Sequence, residues 1–415
     1  MRGGSVAVVG GSIAGSAFAG VAARQGAERV VVLERSPGLL EDRGVGLCMQ
    51  DARFAELVDA GHVPADVRRH RLALRRWVTR DDAPGGDGDA RGRRLWTQPF
   101  EFHSFHWGVL WQSLRARTPA EVEFRLGTTV TEVGGDDDGA WVTDGDGSRE
   151  TYDLVIGADG YRSAVREAVC PRVGPEYAGY VCWRGSYDAA LLERLPGGAA
   201  AWPEEECATV CFPGGQVVLY RIPGVDPGTT QVNWVFYAPT PDWLRLSGPT
   251  SIPAGALDAG RAGGLAELAE RRLPPYWAAV VTLTPPERTF LQPIYDLATP
   301  RRTAGRLVLA GDAATVVRPH NTSGAVKALQ DAHAFEEAVR GADGSWTTAL
   351  SAYERERGSA GLELVDLGRR LGAAQVVDAP DWSAMDESAM AAWWHRQVTG
   401  SGGFGGSPLG SRPGA

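Results

Sequence analysis

The sequence predicts an α/β protein. A Rossmann-like dinucleotide-binding domain, discontinuous in the chain, carries an inserted, mainly antiparallel sheet domain and is followed by C-terminal helices. Three observations predict this. Ser5 to Leu33 reads strand, small-residue turn, helix, strand, which is a βαβ unit. Two later apolar strands each end in an acid, Asp159 and Asp312, where parallel sheets present their ligand-binding edge. Between those strands, Tyr177 to about Leu283 consists of short alternating aromatic and β-branched runs broken by Gly and Pro, the texture of a second sheet.

The elements follow in order. An apolar run, Val6 to Val9, enters the turn Gly10 to Gly15, an alanine-rich helix runs to Arg24, and Val30 to Leu33 forms the next strand. Leu72 to Val78 and Leu95 to Gln98 read as strands joined by a Gly/Asp-rich loop from Asp81 to Arg93, which its composition places at the exposed, mobile surface. Val109 to Arg117 is helical in pattern, and Val122 to Leu126, Thr128 to Val133 and Trp141 to Thr143 are strand-like. Val217 to Ile222 and Gln231 to Tyr237 are strands of the second sheet, and helices return after Ser323 and through Leu350 to Leu371. The expected division is a dinucleotide-binding domain from 1–70, 100–175 and 284–345, an inserted domain from 71–99 and 176–283, and a helical region at 346–399. The tail 400–415 is mostly Gly, Ser and Pro; so little apolar surface predicts disorder.

Composition excludes several classes. The chain has 415 residues, 43% hydrophobic and 22% charged, with a formal charge of -9. That leaves no basic excess for a nucleic-acid binder and points to a small-molecule partner, with a monomer or homodimer expected. Five cysteines are odd in number and thinly spread, and Cys207/Cys211 lack a second ligand pair at zinc spacing, so neither a disulfide framework nor a metal site is expected. No apolar run approaches the roughly 20 residues of a membrane span, and no leader precedes the first strand, so the expected compartment is the cytoplasm. Lys327 is the single lysine among 42 basic residues.

The chemistry lies in three motifs. In the first, Gly10, Gly11, Ser12, Ile13, Ala14 and Gly15 separate strand from helix: glycine permits the tight bend, Gly15 lets helix and strand approach, and the helix N-terminus offers amides to a pyrophosphate. Glu34, at the end of the next strand, is placed to accept hydrogen bonds from a ribose, although Ser12 stands where the fingerprint has its second glycine. The second motif is Asp153 to Arg166, DLVIGADGYRSAVR, and the third Arg306 to Asp331, RLVLAGDAATVVRPHNTSGAVKALQD.

In this order and spacing the three motifs resemble those of the class A FAD-dependent monooxygenases of the para-hydroxybenzoate hydroxylase type, over about residues 5 to 370. The resemblance implies FAD as cofactor, with NADPH or NADH as a transient co-substrate and O2 as oxidant. It assigns the ADP half of FAD to Gly10, Ser12, Ile13, Ala14, Gly15 and Glu34, with Arg35 alongside. Asp159 falls near the pyrophosphate, Asp312 on the ribityl chain, Pro319, Gly324, Ala325 and Lys327 at the flavin, and Arg43 where the family often has a flavin-contacting arginine. Reduced flavin carries negative charge at N1, which a helix N-terminus stabilises. Thr315, Lys327 and Trp107 depart from the family's usual residues. The combination of Arg318, Pro319, His320, Gly324 and Lys327 with Trp107 and with Trp183, Arg184 and Gly185 is similar to that of 2,6-dihydroxypyridine 3-hydroxylases.

The implied reaction hydroxylates an electron-rich aromatic ring, of hydroxypyridine or phenol type, through a hydroperoxide at flavin C4a, in natural-product biosynthesis or aromatic catabolism. His320, beside Pro319, is the candidate partner for a ring hydroxyl, the alternative being a histidine bonded only within its loop. Trp183, Tyr220, Trp234, Tyr237, Phe290 and Gln292 are candidate substrate contacts, although aromatics in strands more often form core. Epoxidation or Baeyer–Villiger chemistry, and a non-catalytic flavin sensor, remain alternatives. For Lys327, a compact ammonium where a guanidinium does not fit stands against chance.

Overall fold

The computed structural model describes residues 3–38, 40, 45–81, 89–246, 248, 251–253, 259–399 and 403–409. Most of the Asp81 to Arg93 loop lies outside them.

Six strands form the dinucleotide-binding sheet, in the order Thr303–Ala304, Leu307–Leu309, Leu154–Gly157, Ser5–Val9, Arg29–Glu34, Glu123–Leu126. Its centre is parallel, with Val8 level with Ile156 on one side and Val32 on the other. The strands are apolar on both faces because both are covered. On one face Val6, Val8, Val32 and Ile156 meet the helices Ile13–Arg24 and Gly324–Arg340 through Phe18, Leu329 and Phe335. On the other, Ala7, Val9, Val31 and Val155 meet Val133, Val142 and Tyr152 of a three-stranded sheet.

Nine strands form the second sheet, in the order Thr315–Val316, Thr289–Ala298, Glu176–Asp188, Thr230–Pro239, Gly215–Pro223, Glu206–Phe212, His70–Thr79, Arg93–His106, Gly46–Gln50. Segments 46–50, 100–106 and 289–298, expected with the dinucleotide-binding domain, therefore pair here and carry chain across the junction between the two sheets. The period-2 alternation of strands separates two faces. Val181, Trp183, Leu219, Trp234 and Phe236 pack beneath the helices Ala259–Arg272 and Pro275–Thr282, two elements that the sequence pattern did not resolve from strand. Tyr180, Cys182, Tyr220, Val235 and Tyr237 face the other way, towards the dinucleotide-binding fold.

The helix Trp346–Gly372 spans 27 residues, and a tryptophan cluster (Trp77, Trp382, Trp393, Trp394) docks the last helix, Glu387–Val398, onto the second sheet.

The tail departs from expectation. Residues 403–409 are packed: the Phe404 ring lies 5.1 Å from Trp394 and 5.7 Å from Phe102, Gly405 N–H donates to the Asn321 carbonyl at 3.0 Å, and Leu409 N–H donates to Glu56 at 2.9 Å. Composition predicts disorder by averaging over the segment. One aromatic in an apolar notch, with Gly403, Gly405 and Gly406 supplying positive φ, is enough to anchor it.

Candidate functional site

The first strand ends at Gly10, whose φ is +98° and whose Cβ, if it had one, would lie 2.4 Å from the Ala158 carbonyl oxygen. A Cβ on Gly15 would lie 1.8 Å from the Gly10 carbonyl oxygen. Both positions therefore require glycine, and their contact sets the helix Ile13–Arg24 tightly on the strand end. Ser12 precedes that helix without capping it, so the first-turn amides remain free for a ligand. Glu34 is buried; Oε2 accepts from Gly11 N–H at 2.8 Å and Oε1 from Ser36 N–H at 2.9 Å. Trp111 Nε1–H donates to the Gly11 carbonyl at 2.8 Å, bracing the turn from a second side. Arg35 is exposed and does not line the cavity described below. Arg43 lies outside the described residues.

Asp159 follows the second motif's strand. Its Oδ2 accepts from Ala164 N–H at 2.7 Å, while Oδ1 is buried without a partner, and burial pushes the carboxyl above its ordinary value. Asp312, after the third strand, is half exposed at the cavity and takes a 2.7 Å ion pair from the fully buried Lys327 Nζ. Lys327 thus lies under Asp312 rather than on the cavity wall, a different place from the flavin contact that the sequence suggested. Behind it Asp331 accepts from Arg357 at 2.7 Å and from Gly311 N–H at 2.9 Å, with Arg302 at 3.4 Å. Burial alone would raise Asp331, but the charges of Arg302, Arg357 and Lys327 outweigh it and hold the carboxyl below its ordinary range.

A cavity of about 400 Å³ joins the two sheets. Ser12, Ile13, Ala14, Ala158, Gly160, Asp312, Pro319, Gly324 and Ala325 line it from the dinucleotide-binding side. Arg75, Arg184, Gln216, Tyr220, Tyr237 and Gln292 line it from the second sheet, with Phe404 of the tail. The helix Gly324–Arg340 opens here without a side-chain cap from Ser323, and a Cβ on Gly324 would meet nothing within 4 Å. Its positive end and free amides therefore face open space.

Three of the candidate substrate contacts, Tyr220, Tyr237 and Gln292, lie on this wall. Trp183 and Trp234 do not: they sit one residue out of phase with Cys182 and Val235 and point into the core beneath the helices, where Trp234 Nε1–H donates to Thr284 at 2.7 Å. Phe290 pairs with Arg184 across the sheet but is absent from the lining.

His320 lines the cavity with both ring nitrogens engaged: Tyr180 Oη is 2.9 Å from Nε2 and Gln375 Oε1 is 3.0 Å from Nδ1. Its ring stacks on Tyr237 with centroids 4.1 Å apart. Burial pulls its pKa from 6.5 down to about 3. The imidazole is neutral, accepts from Tyr180 and donates to Gln375, so it holds the wall rather than presenting a free base. The partners are side chains, not the loop backbone considered as the alternative. A histidine whose pKa is depressed in the fold binds its proton more readily when unfolded. His320 thus costs stability as pH falls from 6.5 towards 3, by up to about 1.4 kcal/mol per pH unit. Thermal melts of His320→Gln should show a shallower loss of Tm between pH 6.5 and 4 than the wild type; parallel curves would contradict the assignment.

These features fit FAD. The glycine turn with uncapped amides suits a pyrophosphate, Asp159 Oδ1 lacks a protein donor, and Asp312 and the Gly324 helix start face one continuous cavity. Arg75, Gln216, Gln375, Tyr180 and Phe404 were not singled out from the sequence. Only Phe404, a lone aromatic in a Gly/Ser tail, carried a local signal.

A family model described as FAD binding domain-like matches residues 177–296, within the second sheet and its helices. The chain is similar to the 2,6-dihydroxypyridine 3-monooxygenase of Paenarthrobacter nicotinovorans, at 27% identity over 83% of this chain and 86% of the relative. It is likewise similar to the 3-amino-4-hydroxybenzoate 2-monooxygenase of Streptomyces cremeus, at 28% identity over 95% of each. In fold it matches the 2,6-dihydroxypyridine-3-hydroxylase from Arthrobacter nicotinovorans with a TM-score of 0.79 and 22% identity, covering 98% of both chains.

Proposed function

We propose that this chain, a homologue of the FAD-dependent aromatic monooxygenases over most of its length, is an FAD-dependent hydroxylase of an electron-rich aromatic ring, with NAD(P)H as donor and O2 as oxidant. The observation that carries the reading is the single cavity into which the glycine turn, Asp312, the Gly324 helix start and the polar face of the second sheet all open. A hydroxypyridine or a hydroxybenzoate, the classes named for the two relatives, is the substrate type that it supports.

When bound, FAD supplies the electron transfer and oxygen activation, chemistry that side chains lack. Gly10 to Gly15 and Asp159 would hold its pyrophosphate end, Asp312 its ribityl hydroxyls, and the amides at Gly324 and Ala325 its pyrimidine edge, where they favour negative charge. Tyr237, fixed by stacking on neutral His320, would set the depth of the aromatic ring, and Gln292 would offer its amide to a ring substituent. Phe404 closes the wall between Phe102 and Trp394, keeping water from the reacting carbon. No helix among the described residues is long and apolar enough to cross a membrane. With all five cysteines free and buried, we place the protein in a reducing compartment, the cytoplasm.

The test is NAD(P)H oxidation by the FAD-loaded protein, with hydrogen peroxide quantified, across hydroxypyridines, phenols and hydroxybenzoates. Stimulation by one class with little peroxide establishes the hydroxylase; a protein that holds FAD and responds to none of them refutes it. Deleting residues 400–415 removes the Phe404 contact, and should release more of the reducing equivalents as peroxide and cost about 1–3 kcal/mol of stability. Coupling equal to the full chain would show that the tail does not seal the site.

A further inference from the structure

Two guanidiniums reach the cavity without a carboxylate. Arg75, on the strand His70–Thr79, is 5% exposed. Its Nε donates to Thr209 Oγ1 at 2.8 Å, and its guanidinium carbon lies 3.9 Å from the Trp77 ring centre and 5.0 Å from that of Trp394. It forms no other hydrogen bond and no ion pair among the described residues, leaving two terminal nitrogens to be satisfied. Arg184, half-buried on the strand Glu176–Asp188, reaches the Gly46 carbonyl at 3.4 Å, and its Nε is buried without a partner.

The other buried arginines are met by carboxylates or by backbone carbonyls, and none of them lines the cavity. Arg302 and Arg357 share Asp331, Arg53 pairs with Glu56, Arg166 donates to the carbonyls of Tyr161, Val173 and Ala313, and Arg221 to those of Ala199 and Trp202. Nor do the neighbours of Arg75 and Arg184 supply negative charge. Burial pushes the thiol of Cys207 up to about 12 and raises Cys48, Tyr220 and Tyr237 as well, so all four are neutral at physiological pH. His320 is neutral too, and Asp312, the one acid on the wall among the described residues, is matched by Lys327. A buried cation without a counter-ion is costly, and a fold that keeps one beside a ligand cavity leaves the counter-ion to the ligand.

We propose that the substrate is a hydroxylated aromatic carboxylate, with its carboxylate seated on the terminal nitrogens of Arg75 and Arg184 supplying the second positive charge. The inference rests on the aromatic monooxygenase reading and narrows its substrate class. Stacking on Trp77 and Trp394 and the bond to Thr209 fix the guanidinium plane, which suits the two-oxygen geometry of a carboxylate. The aromatic ring of the acid then extends across the cavity towards Tyr220 and Tyr237.

The test uses the FAD-loaded full chain and matched pairs: 3-hydroxybenzoate, 4-hydroxybenzoate, 3-amino-4-hydroxybenzoate and 4-hydroxyquinoline-2-carboxylate, each with its primary amide. Binding is followed by the change in flavin absorbance, and by calorimetry on the apoprotein so that failure to hold FAD is read separately. At least one acid should bind more tightly than its amide. Arg75→Met should weaken that acid roughly 100-fold while leaving the amide unchanged, with Arg184→Met showing a smaller loss in the same direction. Arg75→Met removes an uncompensated charge, so its Tm should not fall; Arg75→Lys, which keeps the charge and loses the fork, should retain part of the acid preference. A panel in which no acid outbinds its amide overturns the proposal, as does an Arg75→Met variant that keeps the preference; equal binding of acid and amide through a ring oxyanion is one such result. If acids bind selectively but none stimulates NAD(P)H oxidation, the hydroxylase reading fails and the anion seat stands.

Discussion

Gly15→Val is expected to yield a protein that does not retain FAD. The new Cβ would stand 1.8 Å from the Gly10 carbonyl oxygen and 3.6 Å from Val8 Cγ1, and the Gly10 oxygen has nowhere to go. Gly10 N–H is held by the Leu33 carbonyl at 2.8 Å, its φ is +98°, and Ala158 closes its other side. The helix must lift from the strand end, which moves the amides that face the pyrophosphate and breaks the Glu34 bond to Gly11. A backbone clash in a buried turn costs several kcal/mol, typically about 4 or more, so the variant should be colourless and should melt well below the wild type. Gly324→Val is the matching control, because a Cβ there meets nothing in the protein. It should fold with wild-type Tm and lose affinity only for the flavin. Normal flavin content in Gly15→Val, read from the ratio of visible to ultraviolet absorbance, would mean that the turn is not the cofactor site.

This pair shows what sequence could and could not reveal. Gly10 and Gly15 were legible because their requirement is local: a turn this tight needs glycine, whatever lies across the cavity. Glu34, Asp159 and Asp312 were picked by their place at strand ends; Asp312 lines the cavity, whereas Glu34 is engaged by the amides of Gly11 and Ser36 and is absent from the lining, as is Asp159. Tyr220, Tyr237 and Gln292 were chosen with Trp183, Trp234 and Phe290 by residue type, and type does not say which face of a strand looks at the ligand. One residue of phase separates Cys182 from Trp183 and Val235 from Trp234, and that phase is fixed only when the helices Ala259–Arg272 and Pro275–Thr282 cover one side of the sheet. Arg75 was invisible for another reason. Its significance lies in the absence of an acid around it, and such an absence is a property of packing among strands distant in sequence. The pairing of segments 46–50 and 289–298 with the second sheet was equally non-local.

Lys327→Met should weaken FAD retention by roughly 10- to 100-fold, equivalent to about 1.5–3 kcal/mol for a hydrogen bond between charged groups. The lysine side chain is fully buried while Asp312 is half exposed, so the ammonium reaches up from the helix interior to fix the carboxylate where it meets the ligand. Without it Asp312 can turn to water at little cost to the fold, and the loss should appear in the cofactor dissociation constant more than in Tm. Asp331 would keep its contacts to Arg302 and Arg357, so the buried network behind the site should survive. Lys327→Arg tests why this chain keeps its single lysine here. A guanidinium is wider than an ammonium and needs a fork of acceptors, and the space under Asp312 already holds two arginines around Asp331. The variant is therefore expected to displace Asp312 and impair flavin retention or turnover despite its conserved charge. Flavin occupancy and turnover at the wild-type level in Lys327→Arg would remove the argument. A double-mutant cycle of Lys327→Met with Asp312→Asn separates the remaining possibilities. If the lysine acts through Asp312, its effect on FAD affinity should shrink when the carboxylate is gone; additive losses would mean that it acts on the flavin through its field alone.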